Sequence, residues 1–358
     1  MPSFDEITEQ WKKRLGGVRQ YEVVEEAQDV SAIPLEPVVL EGEYDRAQAL
    51  LRSLLRTYRG RTLPEVLPGE RVSNVHGSCL RLETACQGSI STFQVERTRA
   101  MLFSDLRLLY GIGEVTQQRL KKEGVRSVLD LLDHPLWGGQ ARELVGLVDR
   151  ADTVPLQKWL WRWLPKSHPE ALSLAGLHDR GDFLMLDIES MGLFGRPIIL
   201  IGLARPQGEA IAVDQYLLRD LSDEPAALTE LCARVTERTV LITYNGRSFD
   251  LPCIEERLGY YGLDPLPRCL HLDILHFARR RWRNCYDNCA LTTLERMLFG
   301  LQRNDDVPSA LVPEFYEAYL KEGNAGPLLP IVQHNRQDVL TLAKLYSVLC
   351  RRWGHGHC

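Results

Sequence analysis

The stretch FLMLDIESMG, residues 183–192, begins with four apolar residues and then presents two carboxylates. Alternate side chains of a β-strand point to the same face, so Asp187 and Glu189 share one face and Ile188 points to the other. Two partly buried carboxylates repel each other unless a cation compensates, and Mg²⁺ and Mn²⁺ prefer oxygen ligands. The stretch predicts a core strand that ends in acids. An isolated Asp-x-Glu pair is also typical of a structural or exposed position.

Strands alternate with helices from Gly181 onward. The predicted strands and the one helix among them are FLMLDIE, PIILIGLA, AIAVDQYLL, the helix EPAALTELCARVTER, and TVLITYN. Three strands with short links, then a helix and another strand, indicate a mixed sheet covered by helices. We therefore predict an α/β domain over residues 180–350.

The chain before this domain divides into two regions by pattern. Residues 1–95 contain an amphipathic helix, YDRAQALLRSLLRTYRG, and alternating segments in RVSNVHGSCLRLETA that suggest a hairpin. Residues 96–170 are predicted to be mostly helical. The N-terminal α+β segment, residues 1–95, shows no chemistry, and its role stays open.

Two further acidic sites follow the strand. In TYNGRSFDLPCIEERL, Asn245-Gly246 makes a turn and Asp250 opens a helix, where it could also serve as a helix cap. In IVQHNRQDVLTLAKLYSVL, His334 and Asp338 are four residues apart and so lie on one helical face. An exposed helix pair is the alternative for these two.

Taken together, LDIES, NGRSFD and HNRQD, in this order, resemble the three exonuclease motifs of the DEDD superfamily, which has a ribonuclease H-like fold. The segment CALTTLERMLFGLQRNDDVPSALVPEFYEAYL before the third motif is similar to the YprB-type ribonuclease H-like family, where such a segment precedes a His-Asn-x-x-Asp helix. The resemblance covers residues 180–350 and extends more loosely toward the N-terminus.

The resemblance implies that Asp187, Glu189, Asp250 and Asp338 hold two Mg²⁺ or Mn²⁺ ions. Asp187 would bridge them, Glu189 and Asp338 would complete the tighter site, and Asp250 would hold the second ion. Such a pair activates a water, binds the scissile phosphate and stabilises the leaving oxygen. His334, neutral near pH 7 to 8, would take or orient the proton of the attacking water. Its His-x3-Asp spacing is that of the tyrosine subclass, which leaves the water-orienting geometry open.

The stretch LLYGIGEVTQQRLKKEGV resembles a helix-hairpin-helix element. Gly111 and Gly113 would permit a tight turn whose backbone N–H groups face a phosphate, which positions a protein on nucleic acid without reading sequence. Seven Lys/Arg and five acids between Glu96 and Asp130 leave a local charge of +2. The alternative is an ordinary glycine-containing turn between packing helices. Asn245 is a further candidate for binding nucleic acid.

Two aromatic segments admit two interpretations. Arg279, Arg280, Arg281 and Arg283 surround Trp282 in ARRRWRN and could follow a nucleic-acid backbone, or form a solvated helix face with a buried Trp. Trp159, Trp161 and Trp163 are interpreted as packing between domains rather than stacking on bases.

Bulk composition limits the class of protein. The net charge of −5 gives no sign of a polybasic DNA binder, but a local basic patch or bound metal can reverse the field. The nine cysteines are an odd number and are expected to be reduced thiols, and the tail HGHC is expected to be frayed rather than a zinc site. No membrane span or secretory signal is recognisable, so a cytoplasmic location is expected.

These observations together predict a metal-dependent nuclease, with the 3′–5′ direction taken from the resemblance. DNA is favoured as the substrate and RNA is possible, and protein partners are unknown. The alternatives are a catalytically silent nucleic-acid-binding protein that keeps the fold, and an accessory subunit of a nucleic-acid-processing complex.

Overall fold

The computed structural model describes residues 21–24, 38–193, 195–303 and 306–354. The tail HGHC lies outside these residues. The strands are β1 Glu22–Val24, β2 Val38–Leu40, β3 Glu70–Asn74, β4 Gly77–Gln87, β5 Phe183–Ser190, β6 Ile198–Gln207, β7 Ala210–Leu217, β8 Val240–Thr243 and β9 Leu270–Asp273. The α-helices are α1 Glu41–Thr57, α2 Leu63–Val66, α3 Val95–Ser104, α4 Glu114–Lys122, α5 Gly138–Asp149, α6 Thr153–Leu160, α7 Pro169–Ser173, α8 Glu224–Cys232, α9 Asp250–Tyr261, α10 Ile274–Trp282, α11 Leu291–Phe299, α12 Val312–Glu322 and α13 Leu328–Gly354.

A seven-stranded sheet organises the molecule, in the order β3-β4-β7-β6-β5-β8-β9. The pairs β5–β8 and β8–β9 are parallel, and the other neighbours are antiparallel. The mixed sheet predicted from the strand order is therefore confirmed. Because β5 and β8 run in the same direction, their carboxyl ends meet at one edge of the sheet.

Strand β5 separates two cores. Phe183 and Met185 belong to one hydrophobic cluster, and Leu184, Leu186 and Ile188 belong to the other. The alternation continues to the end of the strand, which places the two acids of the opening stretch on the face of Phe183 and Met185.

The long helix α13 crosses the face that carries those acids, where it contacts β5, β6 and β7. Its Tyr346 packs against Phe183 with ring centroids 5.4 Å apart. Leu102, Leu144 and Leu156 of α3, α5 and α6 belong to the same cluster. The helical region upstream of residue 170 therefore shares its core with this face of the sheet.

The hairpin predicted within residues 71–85 is confirmed, because β3 and β4 pair antiparallel around a turn after Asn74. Strand β4 then pairs with β7 from Leu80↔Leu217 to Gln87↔Ala210. The hairpin thus extends the central sheet. Part of the predicted segment 1–95 is therefore paired with a strand of the predicted domain 180–350. The division into 1–95, 96–170 and 180–350 itself stays a prediction.

The three tryptophans after α5 differ in their surroundings. Trp159 is buried and its Nε1 donates to Leu108 O (2.7 Å), as expected for packing. Trp161 is partly buried, and Trp163 is exposed. Trp282 is buried and the neighbouring Arg279 is exposed, as in the solvated-face interpretation. In the part of the chain that is described, no helix is both long and apolar enough to span a bilayer.

Candidate active site

A cavity of about 590 Å³ opens at the carboxyl ends of β5 and β8. It is called the acidic cavity below. Its lining brings together all five residues predicted to be catalytic, which are Asp187, Glu189, Asp250, His334 and Asp338, and also Asn245. Gly111 and Gly113 are not part of the lining. The N-terminal segment contributes Tyr44 and Gln48 of α1, a role that the sequence had not indicated.

Asp187 is held by a neighbour on α13. Asn335 Nδ2 donates to Asp187 Oδ2 (2.8 Å) and to Asp187 O (3.1 Å), while Asn335 Oδ1 accepts from Gln215 Nε2 (2.8 Å). Asn335 is fully buried. It reaches β5 because Gly202, the residue of β6 that pairs with Asp187, has no side chain. A Cβ at Gly202 would lie 2.1 Å from Asn335 Oδ1. The motif HNRQD contains this residue, but sequence reasoning assigned it no role.

Asp250 connects α9 to β5. Phe249 occupies the N-cap position of α9, and Asp250 is its first helical residue. The buried carboxylate accepts from Ile188 N (3.3 Å) on the neighbouring strand. The carboxylate thus contacts β5. Asp250 lies at the helix start, as the sequence indicated, but the N-cap is Phe249.

The Asn245-Gly246 turn between β8 and α9 is as predicted. Asn245 has a φ of 62° and its N–H donates to Asp273 Oδ1 (2.9 Å). Its side chain is exposed at the acidic cavity. A Cβ on Gly246 would lie 2.5 Å from the side chain of Thr243, so the turn requires a glycine there. Asn245 is therefore a non-glycine residue in the left-handed region. Such residues are uncommon and are often found at functional sites.

His334 is oriented by an acid that sequence reasoning missed. Its Nδ1 is hydrogen-bonded to Asp306 Oδ1 (2.6 Å). The other ring nitrogen, Nε2, faces the acids and lies 3.5 Å from Asp338 Oδ2 and 3.9 Å from Glu189 Oε1. His334 therefore joins Asp306 on one side to two proposed metal ligands on the other.

Asp338 is held by a second side chain from the same preceding segment. Arg303 Nη2 donates to Asp338 Oδ1, and Arg303 Nε donates to Glu295 Oε2 (2.6 Å). Glu295 is fully buried. Arg303, Asp306 and Glu295 all come from the segment whose sequence narrowed the resemblance, and this was the signal available for finding them.

The pKa values follow from this burial. Burial, together with repulsion from Asp338 and Glu189, raises the pKa of Asp187 well above its usual range. Burial also raises the pKa of Glu189 and of Asp250 to about 7, and that of Asp338 in the same direction. Carboxyl groups hold protons in this way when no cation compensates their charge.

The pKa of His334 is raised to about 9. Burial alone would lower it, but the hydrogen bond with Asp306 and the charges of Asp338 and Glu189 outweigh burial. The sequence had suggested a neutral imidazole near pH 7 to 8. Without a metal ion, the raised pKa favours the imidazolium at that pH, because its positive charge balances the surrounding acids.

The donor set fits a hard divalent cation, since buried carboxylate oxygens with excess negative charge are what such ions bind. Within the described ranges, however, no group of three or more His, Cys, Asp and Glu side chains is placed to hold an ion as it stands. Arg303 and Asn335 already engage oxygens of Asp338 and Asp187. Ion binding would therefore require these side chains to adjust.

Comparison with known proteins identifies the class of domain. Residues 184–350 match the family model described as RNase_H superfamily. This part of the chain is similar to the ribonuclease H-like superfamily, and its α/β sheet flanked by helices is a ribonuclease H-like fold.

A curated relative narrows the family. The uncharacterized protein YprB of Bacillus subtilis (strain 168) is 35% identical over 198 residues, which are 54% of this chain and 47% of YprB. The resemblance to the YprB-type ribonuclease H-like family is thereby confirmed. The chain spans about half the length of this relative.

A solved structure is similar at a lower level. The family B DNA polymerase from the hyperthermophilic archaeon Pyrobaculum calidifontis matches 45% of this chain and 24% of its own, with a TM-score of 0.36 and 16% identity. A similarity of this size carries no argument about the site.

Proposed function

We propose that the protein is a metal-dependent nuclease that hydrolyses phosphodiester bonds as a 3′–5′ exonuclease. The observation that carries the proposal is the meeting of Asp187, Glu189, Asp250, His334 and Asp338 in one cavity, although they come from three separate parts of the chain. The ribonuclease H-like domain supports hydrolysis in general. The direction of digestion rests on the resemblance of the three motifs.

The four acids would hold two Mg²⁺ or Mn²⁺ ions. When bound, such ions polarise the scissile phosphate and lower the pKa of water enough to make a nucleophile near neutral pH. Asp187 is the proposed shared ligand, with Glu189 and Asp338 at one position and Asp250 at the other. Their proton loss on ion binding follows from their raised pKa values.

His334 is the proposed proton acceptor. Asp306 fixes the ring through Nδ1, which leaves Nε2 directed toward Glu189 and Asp338. The two acids raise the pKa of His334, so cations that neutralise them would lower it. The imidazole would thus become able to accept the proton of the attacking water when the site is loaded.

The proposed substrate is nucleic acid, with DNA favoured over RNA. The proposed location of the protein is the cytoplasm. Asn245 would contact the substrate at the cavity. The hairpin of Gly111 and Gly113, just before α4, would contact phosphates away from it, in the manner of a helix-hairpin-helix element.

Labelled oligonucleotides test the proposal. The full chain is incubated with 5′- and 3′-labelled DNA and RNA in Mg²⁺, Mn²⁺ or EDTA. We expect metal-dependent shortening from the 3′ end and a loss on the order of 10³-fold in Asp187→Asn, since several kcal/mol of charge stabilisation would be removed. Glu209→Gln, an exposed acid in the turn between β6 and β7, is the matched control and should keep full activity. Equal turnover by Asp187→Asn would refute the proposal.

A catalytically silent binding protein is the second candidate. One observation favours it: Arg303 and Asn335 engage two of the acids, and in the described part of the chain no three acidic or His/Cys groups are positioned for an ion. Titration with Mn²⁺ separates the two, because a silent protein would show no binding that depends on Asp250.

A further inference from the structure

Two aromatic rings are exposed together beside the hairpin of Gly111 and Gly113. Tyr110 is 68% exposed and Trp163 is 40% exposed, and their ring centroids are 5.6 Å apart. The backbone beneath Tyr110 is held from both sides: its N–H donates to Gln140 Oε1 (2.7 Å), and its carbonyl accepts from Trp137 Nε1 (3.1 Å). The exposed rings therefore stand on an ordered support.

A second aromatic group leads from these rings toward the acidic cavity. The guanidinium carbon of Arg247 lies 4.7 Å from the ring centroid of Trp161, and Lys166 Nζ lies 5.5 Å from it. Trp161 is two residues from Trp163. Arg247 lies in the turn between β8 and α9, whose Asn245 and Phe249 line the acidic cavity. Short chain links therefore connect Trp163 to Trp161, and Arg247 to the turn that lines the acidic cavity.

One buried nitrogen of Trp161 and one of Arg247 also lack acceptors among the described residues. Among the described residues, the buried Trp161 Nε1 and Arg247 Nε have no hydrogen-bond partner. Both side chains line a small cavity with Lys166 and His276. A buried donor without an acceptor costs free energy that an entering acceptor restores. A phosphate oxygen is such an acceptor, and the two cations would attract it. Because the cavity has a volume of only about 10 Å³, the oxygen would reach these donors only after their side chains shift.

We propose that Tyr110, Trp163, Trp161, Lys166 and Arg247 form a track that binds single-stranded nucleic acid on its way into the acidic cavity. Bases would stack on the exposed rings, and backbone phosphates would lie against Lys166 and Arg247. A single strand is favoured because its bases offer free faces, whereas those of a duplex are already stacked. The inference rests on the proposed function in taking nucleic acid as the ligand.

A protein partner is the competing occupant, because Val115 and Leu136 nearby are also exposed apolar residues. The cations beside Trp161, and the place of Arg247 in the turn that lines the acidic cavity, favour nucleic acid. The two occupants require different side chains. A protein partner on an apolar surface would contact Leu136. A nucleic acid would need an aromatic ring for base stacking and a positive charge for phosphate contacts.

Binding without turnover tests the track. Fluorescence anisotropy is recorded for the full chain in EDTA with labelled oligo-dT, oligo-U and a blunt DNA duplex of the same length. We expect Trp163→Ala and Tyr110→Ala each to weaken single-strand binding on the order of tenfold, Trp163→Phe to restore most of it, and Leu136→Ala to leave it unchanged. Lys166→Gln should reduce the slope of log K against log salt by about 0.7.

The outcomes separate this inference from the proposed function. Unchanged single-strand affinity in both alanine variants, with native circular dichroism, overturns the track even if the protein digests DNA. A loss in Leu136→Ala equal to that in Trp163→Ala also overturns it, and points to a general apolar docking surface. Ring-dependent binding by a protein without any hydrolysis would support the track and reject the nuclease.

Discussion

Asp306 is one of three acids that raise the pKa of His334. The hydrogen bond to Nδ1 and the acids facing Nε2 together raise the pKa of the ring to about 9. Without metal, the imidazolium balances part of the negative charge of the acidic cavity. With metal, the same ring would have to give up its proton before it can accept another. His334 would therefore be charged without metal and neutral with metal, and its hydrogen bond with Asp306 influences the balance between these two states.

Replacing Asp306 should separate these two states. We expect Asp306→Asn to lower the pKa of His334, because an amide cannot stabilise the imidazolium as a carboxylate does. The acidic limb of the pH–rate profile should therefore move to lower pH, and kcat should fall on the order of 10- to 100-fold, as for other groups that orient active-site residues. The pKa is checked directly by NMR titration of the His334 ring in EDTA. An unchanged pKa would show that Asp306 does not act through His334.

The sequence predicted the four acids and His334 because each lies in a local motif with a regular spacing. It did not predict Asp306, Arg303 or Asn335 as part of the site, because their roles come from tertiary contacts. Asn335 and Asp187 are in contact although they are 148 positions apart in the sequence, and Arg303 and Asp338 are 35 positions apart. The raised pKa of His334 was also not predicted, since it depends on the sum of these contacts.

Helix α13 approaches the sheet closely at Gly202 of β6, which has no side chain. Gly202 gives Asn335 the room to reach Asp187, and Asn335 is also held by Gln215 on β7. The contact therefore joins one helix to three strands at a single position. The sequence predicted the helix and the strands, but the register of one against the other follows from this packing.

A methyl group at Gly202 tests that packing. Gly202→Ala would place a carbon 2.1 Å from Asn335 Oδ1, so we expect the free energy of unfolding in urea to fall by about 1–3 kcal/mol. Gly259→Ala is the matched control, because no atom lies within 4 Å of its added carbon, and an alanine within helix α9 is favourable. Equal stability of both variants would show that α13 can shift without cost.

The turn of Gly111 and Gly113 before α4 also differs from the prediction in a detail. The sequence treated Gly111 and Gly113 alike. Gly111 has a φ of 86°, which favours glycine. Gly113 is the extended N-cap of α4, and a Cβ there would meet no atom within 4 Å. Only the first glycine is required by the backbone, a distinction that the sequence could not make.

For the molecule as a whole, the acidic cavity makes stability depend on pH. An acid whose pKa is raised by folding binds its proton more tightly in the folded chain. The folded state therefore loses stability as the pH rises from about 4, where unfolded carboxyls titrate, to about 7 for Glu189 and Asp250. The raised pKa of His334 acts in the same direction, with stability lost between pH 6.5 and about 9.

Metal should reverse this loss. In EDTA we expect the Tm to fall between pH 5 and pH 9. Asp187→Asn should be more stable than the parent at pH 8, because an amide avoids the cost of burying a carboxyl whose pKa folding raises. Adding Mn²⁺ at one hundred times its Kd should stabilise the parent by about 2.7 kcal/mol and Asp187→Asn by less. Differential scanning calorimetry measures both effects. A Tm that depends on neither pH nor Mn²⁺ would contradict the charge balance described here.

The hairpin of β3 and β4 has a practical consequence for anyone who expresses part of this protein. A fragment limited to residues 184–350 would lack β4 and leave the backbone of β7, from Ala210 to Leu217, without its outer neighbour. An apolar strand with open hydrogen-bonding groups invites other chains to pair with it, which leads to aggregation. Fragments made for enzymology should therefore begin before residue 70, upstream of the segment that protects this flank.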